Sequence, residues 1–278
     1  MEISQKSVFE ASAVDLLKFL TMLYDRNLSY SSINLARSAI SSVQSLVSGS
    51  QLGTHPLITR FVKGVFNNRP AVPRYSQTWD PDVVLSCLDV NLSAGTLLQK
   101  SRKLVVLLLL LSGQRLATVS KIRLADIEFI SDGRVNIFIT SLCKQSRPGF
   151  HQAPLVFSSF DARPNLCMVT LLKSFIADTR ELRNESCDNL FLTSTLPYRN
   201  AKQDTIANWV RFVLKEAGLG SLFGVHSIRS ACVSKCSQRN MPLDQILRAG
   251  GWSNDSVFRK FYKLPVASLG VDQVILKE

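Results

Sequence analysis

The chain has no CxxC pair, no apolar run long enough for a membrane, no repeat and few acidic residues, and each absence excludes something. Six cysteines (Cys87, Cys143, Cys167, Cys187, Cys232, Cys236) are scattered along it. Cys232 and Cys236 lie about one helical turn apart, but no histidine follows at zinc-finger spacing, which argues against a metal site. The N-terminus carries no secretory leader, so the thiols are expected to be reduced, intracellular and mostly core filler. The run Leu104–Leu111 (LVVLLLLL) stops far short of the ~20 residues a membrane span requires. It follows Lys100, Arg102 and Lys103 and reads as a buried helix in a soluble protein. No internal repeat or low-complexity tract is present.

Acidic residues number 21 against 33 Lys and Arg, for a formal charge of +12 and a pI near 9.7. A polyanionic partner is implied, nucleic acid by default, because each neutralised phosphate releases condensed counterions. On charge alone, a merely basic soluble protein remains the alternative. With 278 residues, 46% of them hydrophobic, and a mean hydropathy of +0.11, the chain can bury a sizeable core. One large domain or two ordinary ones would fit; a disordered or fibrous chain would not.

Residues 1–70 read as a helical module. Phe9 to Tyr24 sets Val14, Leu17, Leu20 and Tyr24 at helical intervals, and a second helix from Ile33 to Val47 carries Ile33, Ala36, Ile40, Val43 and Val47 as one buried face. Gly49 and Gly53 break the chain before a shorter helix, Pro56 to Phe66, with Arg60 and Lys63 among its polar positions. At residues 69–80 two prolines exclude regular helix and two arginines keep the segment solvated, so 71–80 is expected as an interdomain linker. A second domain, 81–278, follows. Helical patterning covers Asp80 to Leu88 and Ala94 to Leu111. It returns at Cys167–Arg183, Gln203–Ala217, Ser227–Arg239, Pro242–Ala249 and Asp255–Tyr262. Arg134–Thr140 and Ala153–Phe157 are β-prone and flank a polar loop containing Lys144. The fold class is mainly α with a small antiparallel β-sheet.

Six residues carry a chemical argument: Arg115, Lys144, His226, Arg229, Trp252 and Tyr262, in that order. His226 and Arg229, three apart on a helix, share a face and can address one phosphate, the imidazole donating one hydrogen bond and the guanidinium fork two. Ser253, Asn254 and Asp255 cap a helix on which Phe258 and Tyr262 are one turn apart. Arg115 ends a strongly apolar helix, where a cation is costly to bury without an anion. Singly, each has an ordinary alternative: an aromatic in the core, a helix-terminal arginine on backbone carbonyls, an exposed lysine.

Taken together, the order and spacing resemble the tyrosine recombinase (phage integrase) family over nearly the entire chain. That signature is Arg, Lys, His-x-x-Arg, His or Trp, and Tyr, presented after a helical core-binding domain. Two stretches look closest to the DIRS and Ngaro retrotransposon members: Leu28-Ser-Tyr-Ser-Ser-Ile-Asn-Leu-Ala-Arg-Ser-Ala-Ile40 and Gly251-Trp-Ser-Asn-Asp-Ser-Val-Phe-Arg-Lys-Phe-Tyr262. Two departures stand out. Thr118 occupies the place where many members have an acid three positions after the first arginine. The interval from tryptophan to tyrosine is one longer than in bacterial and phage relatives, so that Phe261 takes the usual place. The longer interval looks usual for the retrotransposon group, and Tyr262 is the only nearby phenol.

The resemblance implies a two-domain DNA clamp that cleaves and rejoins DNA at specific sites through a 3′-phosphotyrosine, with neither cofactor nor metal. Tyr262 would be the nucleophile, Arg115 and Arg229 the phosphate ligands, His226 and Trp252 further donors, and Lys144 the acid for the leaving 5′-oxygen. Arg37, Arg60, Lys63 and Arg147 are the candidate backbone contacts to double-stranded DNA. The apolar tail Val271–Leu276 would dock on a neighbouring subunit in a tetramer on DNA. A mobile element is the implied context, and the nucleus the location if the host is eukaryotic. Two rivals remain: a non-catalytic, sequence-specific DNA-binding derivative of a recombinase, and a monomeric type IB topoisomerase.

Overall fold

The computed structural model describes residues 8–49, 51–70, 75–92, 94–144, 146–149, 152–252 and 255–266. The chain divides into two compact units, Met1–Arg74 and Tyr75–Glu278. Together they give a mostly helical molecule with one small antiparallel sheet.

In the first unit, α1 (Ala13–Asp25) is opened by Ser12, whose hydroxyl accepts from the Asp15 amide while the Asp15 carboxylate accepts from the Ser12 amide. That reciprocal cap sets the start of the helix. Phe9 therefore lies not in α1 but in a separate 3₁₀ turn, Val8–Glu10. The buried face of α1 is Leu16 and Leu20, whereas Val14 is exposed. α2 (Tyr30–Ser48) begins at Ser29 and stops at Gly49, whose φ of +67° supplies the left-handed cap. α3 (Pro56–Asn68) places proline in its first turn, where a missing N–H goes unnoticed. Leu16, Leu20, Ile33, Ile58, Val62 and Val65 form the core.

The expected stripe on α2 holds only in its first half. Ile33 is buried, but Val43 and Val47 are exposed, and Gln44 is buried instead, its amide donating to the Ala11 carbonyl. Leu46 beside them is exposed as well, so the last apolar side chains of the 19-residue α2 stay outside the core.

The second unit is built on α5. α4 (Pro81–Leu88), capped by the Asp80 carboxylate, precedes α5 (Leu97–Ser112), which starts at a Thr96–Gln99 capping box and ends at Gly113 with φ +62°. Every residue from Leu104 to Leu110 is buried, and α5 packs against three later helices, α7 (Met168–Thr179), α8 (Gln203–Glu216) and α9 (Ser227–Gln238). Between them lie the short α6 (Leu116–Val119) and the antiparallel strands β1 (Ile127–Phe129), β2 (Arg134–Ile137) and β3 (Leu155–Ser158), in the order β1-β2-β3. Val135, Ile137, Leu155 and Phe157 point into the core, in the register Val135↔Phe157 and Ile137↔Leu155. The β-prone stretches are thus shorter than expected, and β1 is a third strand that they did not announce. α10 (Leu243–Gly250) and α11 (Asp255–Phe261) complete the unit.

Two expectations need correction. Within the expected linker, Tyr75 to Asp80 pack in the second unit: Trp79 is 2% exposed, its indole N–H donates to Ser227 Oγ at 2.8 Å, and Thr78 pairs with Val266. The cysteines are free, but only Cys167 and Cys187 are buried and Cys87 is exposed, so they are not mainly core filler. Residues 71–74, Ser253, Asn254 and the tail Val271–Leu276 lie outside the described residues. Among those described, no helix is long and apolar enough to cross a membrane.

Leu107, fully buried at the middle of α5, measures how far the second unit depends on this helix. Leu107→Ala should lower the unfolding free energy by about 2–5 kcal/mol, read as a lower urea midpoint with unchanged slope. A change under about 0.5 kcal/mol would show that α5 is not a core element.

Candidate active site

Arg229 is the centre of the site. It sits in the first turn of α9 and is 4% exposed. A guanidinium so placed needs acceptors, and it finds two backbone carbonyls: NH1 donates to Gly113 O at 2.6 Å and NH2 to Gly250 O at 2.7 Å. Those carbonyls belong to the C-terminal ends of α5 and α10, where acceptors lack intrahelical partners and the helix dipole is negative. Two helix ends thus take the place that an acidic side chain would fill.

The aromatic residues close around it. The Arg229 Cζ stacks on the Trp252 ring at 3.6 Å and lies 5.2 Å from the centroid of Tyr262. Trp252 and Tyr262 meet edge to face at 5.0 Å, and Phe258, one turn before Tyr262, supports Trp252 at 5.5 Å. Burial, and then the charge of Arg115, bring the Arg229 guanidinium down to about 10, while Tyr262 opposes that shift. It stays charged at neutral pH. Among the described residues, the Nε of Arg229 and the indole Nε1 of Trp252 are buried donors without an acceptor.

Arg115 is the residue before α6, one turn past the end of α5, and it is half-buried. Thr118, where the sequence suggested an acid could stand, is 3% exposed, and its amide donates to Arg115 O at 2.9 Å. The structure therefore brings Arg229, Trp252 and Tyr262 into contact and sets Arg115 near enough to influence Arg229. His226 and Arg229 differ more than their spacing suggested. Ser227 to Ala231 are sunk into the unit, which leaves the exposed His226 at the mouth of α9 and Arg229 inside. Lys144 is exposed in a turn closed by Ser146 N to Cys143 O at 3.0 Å and Cys143 N to Ser146 Oγ at 2.8 Å.

In the first unit Arg60 and Lys63 are exposed, one turn apart on α3. Arg37 is half-buried beside Gly53, with its Nε away from solvent, and so is partly structural. Arg147 is exposed.

Sequence reasoning missed the groups that hold the site in place. Gln114, 1% exposed, donates to Ala249 O at 2.6 Å and ties the turn before Arg115 to the end of α10. Ser234 on α9 donates to Tyr262 O at 2.9 Å and accepts from Leu264 N at 3.1 Å, which pins the backbone on both sides of the tyrosine. Gly250 matters for what it lacks: a Cβ there would fall 1.7 Å from Trp252 Cζ3. The signal for it was the Gly250-Gly251-Trp252 run at a helix end, which marks the stop but not the ring lying over it.

Gly250→Ala must therefore expel the indole. The Trp252 contribution to near-ultraviolet circular dichroism should change while helix content is kept, and Arg229 should lose its stacking partner. An unchanged aromatic spectrum would show that Trp252 does not lie on Gly250.

Curated proteins yield no match by sequence. Among solved structures, the Tn1549 transposon integrase in complex with transposon right end DNA aligns over 97% of this chain and 85% of its own, at 12% identity and a TM-score of 0.66. The XerH site-specific recombinase bound to palindromic difH substrate, in a post-cleavage complex, aligns over 91% and 69%, at 17% identity and 0.62. A lambda integrase tetramer bound to a Holliday junction aligns over 94% and 68%, at 14% identity and 0.55. These identities show a shared fold. The profile of the phage integrase family matches residues 81–265, well over half of the sequence, and the chain belongs to that family.

Proposed function

We propose that the protein cleaves and rejoins double-stranded DNA at specific sites through a covalent 3′-phosphotyrosine, with Tyr262 as nucleophile. The stacked set of Arg229, Trp252 and Tyr262 carries this reading. It joins a phenol to a buried cation whose donors are only partly used, in a region with two arginines. A phosphate oxygen is the acceptor that suits the Arg229 Nε–H and the Trp252 indole N–H. As Tyr262 Oη attacks phosphorus and the bond to the 5′-oxygen breaks, negative charge grows on the non-bridging oxygens. Arg115, Arg229 and Trp252 stabilise it in this reading. The phenol gives up its proton toward His226, and Lys144 protonates the departing 5′-oxygen. The phosphotyrosine conserves the energy of the broken bond, so a 5′-hydroxyl from another strand reverses the step.

Around this centre, residues 1–70 act as the helical DNA-binding module and 81–278 as the catalytic module, with Arg60, Lys63, Arg147 and, to a lesser extent, Arg37 on phosphates. The related structures are held on DNA, one of them after cleavage and one as a tetramer on a Holliday junction, which supports duplex DNA as partner and assembly of several copies. The likeness of two stretches to DIRS and Ngaro recombinases points to a mobile element and, in a eukaryotic host, to the nucleus. The tail Val271–Leu276 is the proposed subunit contact.

A library of nicked duplexes that lose the 5′-hydroxyl fragment after cleavage tests the reading. Covalent adduct should form in EDTA, disappear in Tyr262→Phe with DNA binding kept, and form about 10²–10³-fold more slowly in Arg229→Lys. Binding without any adduct across the library would leave a DNA-binding protein. Relaxation of supercoiled plasmid by monomer, without site preference, would instead indicate a topoisomerase. Arg60→Ala and Lys63→Ala should weaken binding to all sequences alike, each lowering the salt slope by about 1. Unchanged slopes would remove them from the interface.

A further inference from the structure

The loop between β2 and β3 has to hold Lys144 in a defined place, yet the strand ladder stops at Ile137 and resumes at Leu155. Its outgoing arm is laced to the segment that follows α6. Phe138 N donates to Asp126 O at 2.9 Å, and Thr140 Oγ1 donates to Asp126 Oδ1 at 2.7 Å and accepts from Arg123 NH2 at 2.8 Å. Asp126 is 4% exposed, so this is the fixed base of the arm. Beyond it Lys121 reaches farther out: its ammonium donates to Leu142 O at 2.8 Å, and Ser141 Oγ returns a longer bond of 3.4 Å to Lys121 O.

Leu142 is two residues before Lys144, and the Cys143–Ser146 turn transmits the position of one to the other. At its other end, Lys121 is joined through Ser120 and α6 to Arg115. One lysine therefore links the loop tip to the element that carries the first phosphate-binding arginine.

We infer that Lys121 is a positioning residue, which holds the loop so that the Lys144 ammonium meets the departing 5′-oxygen. This rests on the strand-cleavage reading with Lys144 as the acid. A misplacement of about 1 Å at a proton donor can slow a reaction ~100-fold. Lys121 does not touch the phosphate in this role; its effect passes through Lys144.

Substrates with sulfur at the bridging 5′ position separate the possibilities. In them the phosphorus–sulfur bond breaks to release a thiolate, which needs no proton from the enzyme. Single-turnover cleavage is measured at saturating full-length protein on paired oxygen and sulfur duplexes. On oxygen, Lys144→Met should be slower by about 100-fold or more. Lys121→Met should be slower by ~10-fold or more, and Lys121→Arg, which keeps a donor, should recover most of the rate. On sulfur, both methionine variants should approach the parent. If Lys144→Met is restored but Lys121→Met stays slow, Lys121 acts elsewhere and the inference fails. It fails equally if Lys121→Met cleaves oxygen substrate at the parent rate. If Lys144→Met is not restored, the assignment of Lys144 as acid fails first and takes the inference with it.

Discussion

A guanidinium buried between the carbonyl ends of two helices organises the second unit. Removing such a group from water is expensive unless its donors are met, and the answer here is backbone rather than a carboxylate. Gly113 and Gly250 supply oxygens at helix ends, where they are otherwise unpaired, and Trp252 covers one face of the cation. Because the acceptors are dipoles and not a full negative charge, the pocket keeps its positive character. The coulombic influence of Arg115 adds to it. An oxyanion is the ligand such a pocket lacks, and this links the packing of the core to the chemistry.

The position of Tyr262, the proposed nucleophile, depends on the same helices. Tyr262 follows α11, but its carbonyl is held by Ser234, and Ser234 also accepts the amide of Leu264. Shortly beyond, Val266 pairs with Thr78, and Thr78 N donates to Pro265 O at 2.8 Å. The segment after the tyrosine is thus stitched to α9 and to the first residues of its own unit. Trp79, through Ser227, and Lys235, through a 2.7 Å ion pair with Asp80, fix α9 to the beginning of the same unit. Arg229 is therefore rigid on both sides, and the phenol is held against it by contacts within one chain.

Much of this could be read before any coordinates. Most helical runs followed their periodicity, and of the six residues singled out by order, Arg229, Trp252 and Tyr262 meet, with Arg115 close to Arg229. What escaped has physical causes. Backbone carbonyls have no residue identity, so neither partner of Arg229 left a trace beyond a glycine at a helix end. β1 has only three residues, too few for an alternating pattern, and exists because β2 offers it an edge. Val43 and Val47 fit a helical stripe, but periodicity reports the face of a helix and not how much of that face a neighbour covers. The bond from Lys121 to Leu142 joins an exposed side chain to a carbonyl in another loop, which no spacing rule anticipates.

The central claim is that this pocket delivers one phosphate to one phenol, and locating the covalent bond tests it most directly. Adduct trapped on a nicked duplex would be digested with nuclease and protease, and the peptide bearing the residual nucleotide sequenced by tandem mass spectrometry. The account requires a nucleotide 3′-phosphate on the oxygen of Tyr262. A nucleotide attached to any other side chain would contradict it.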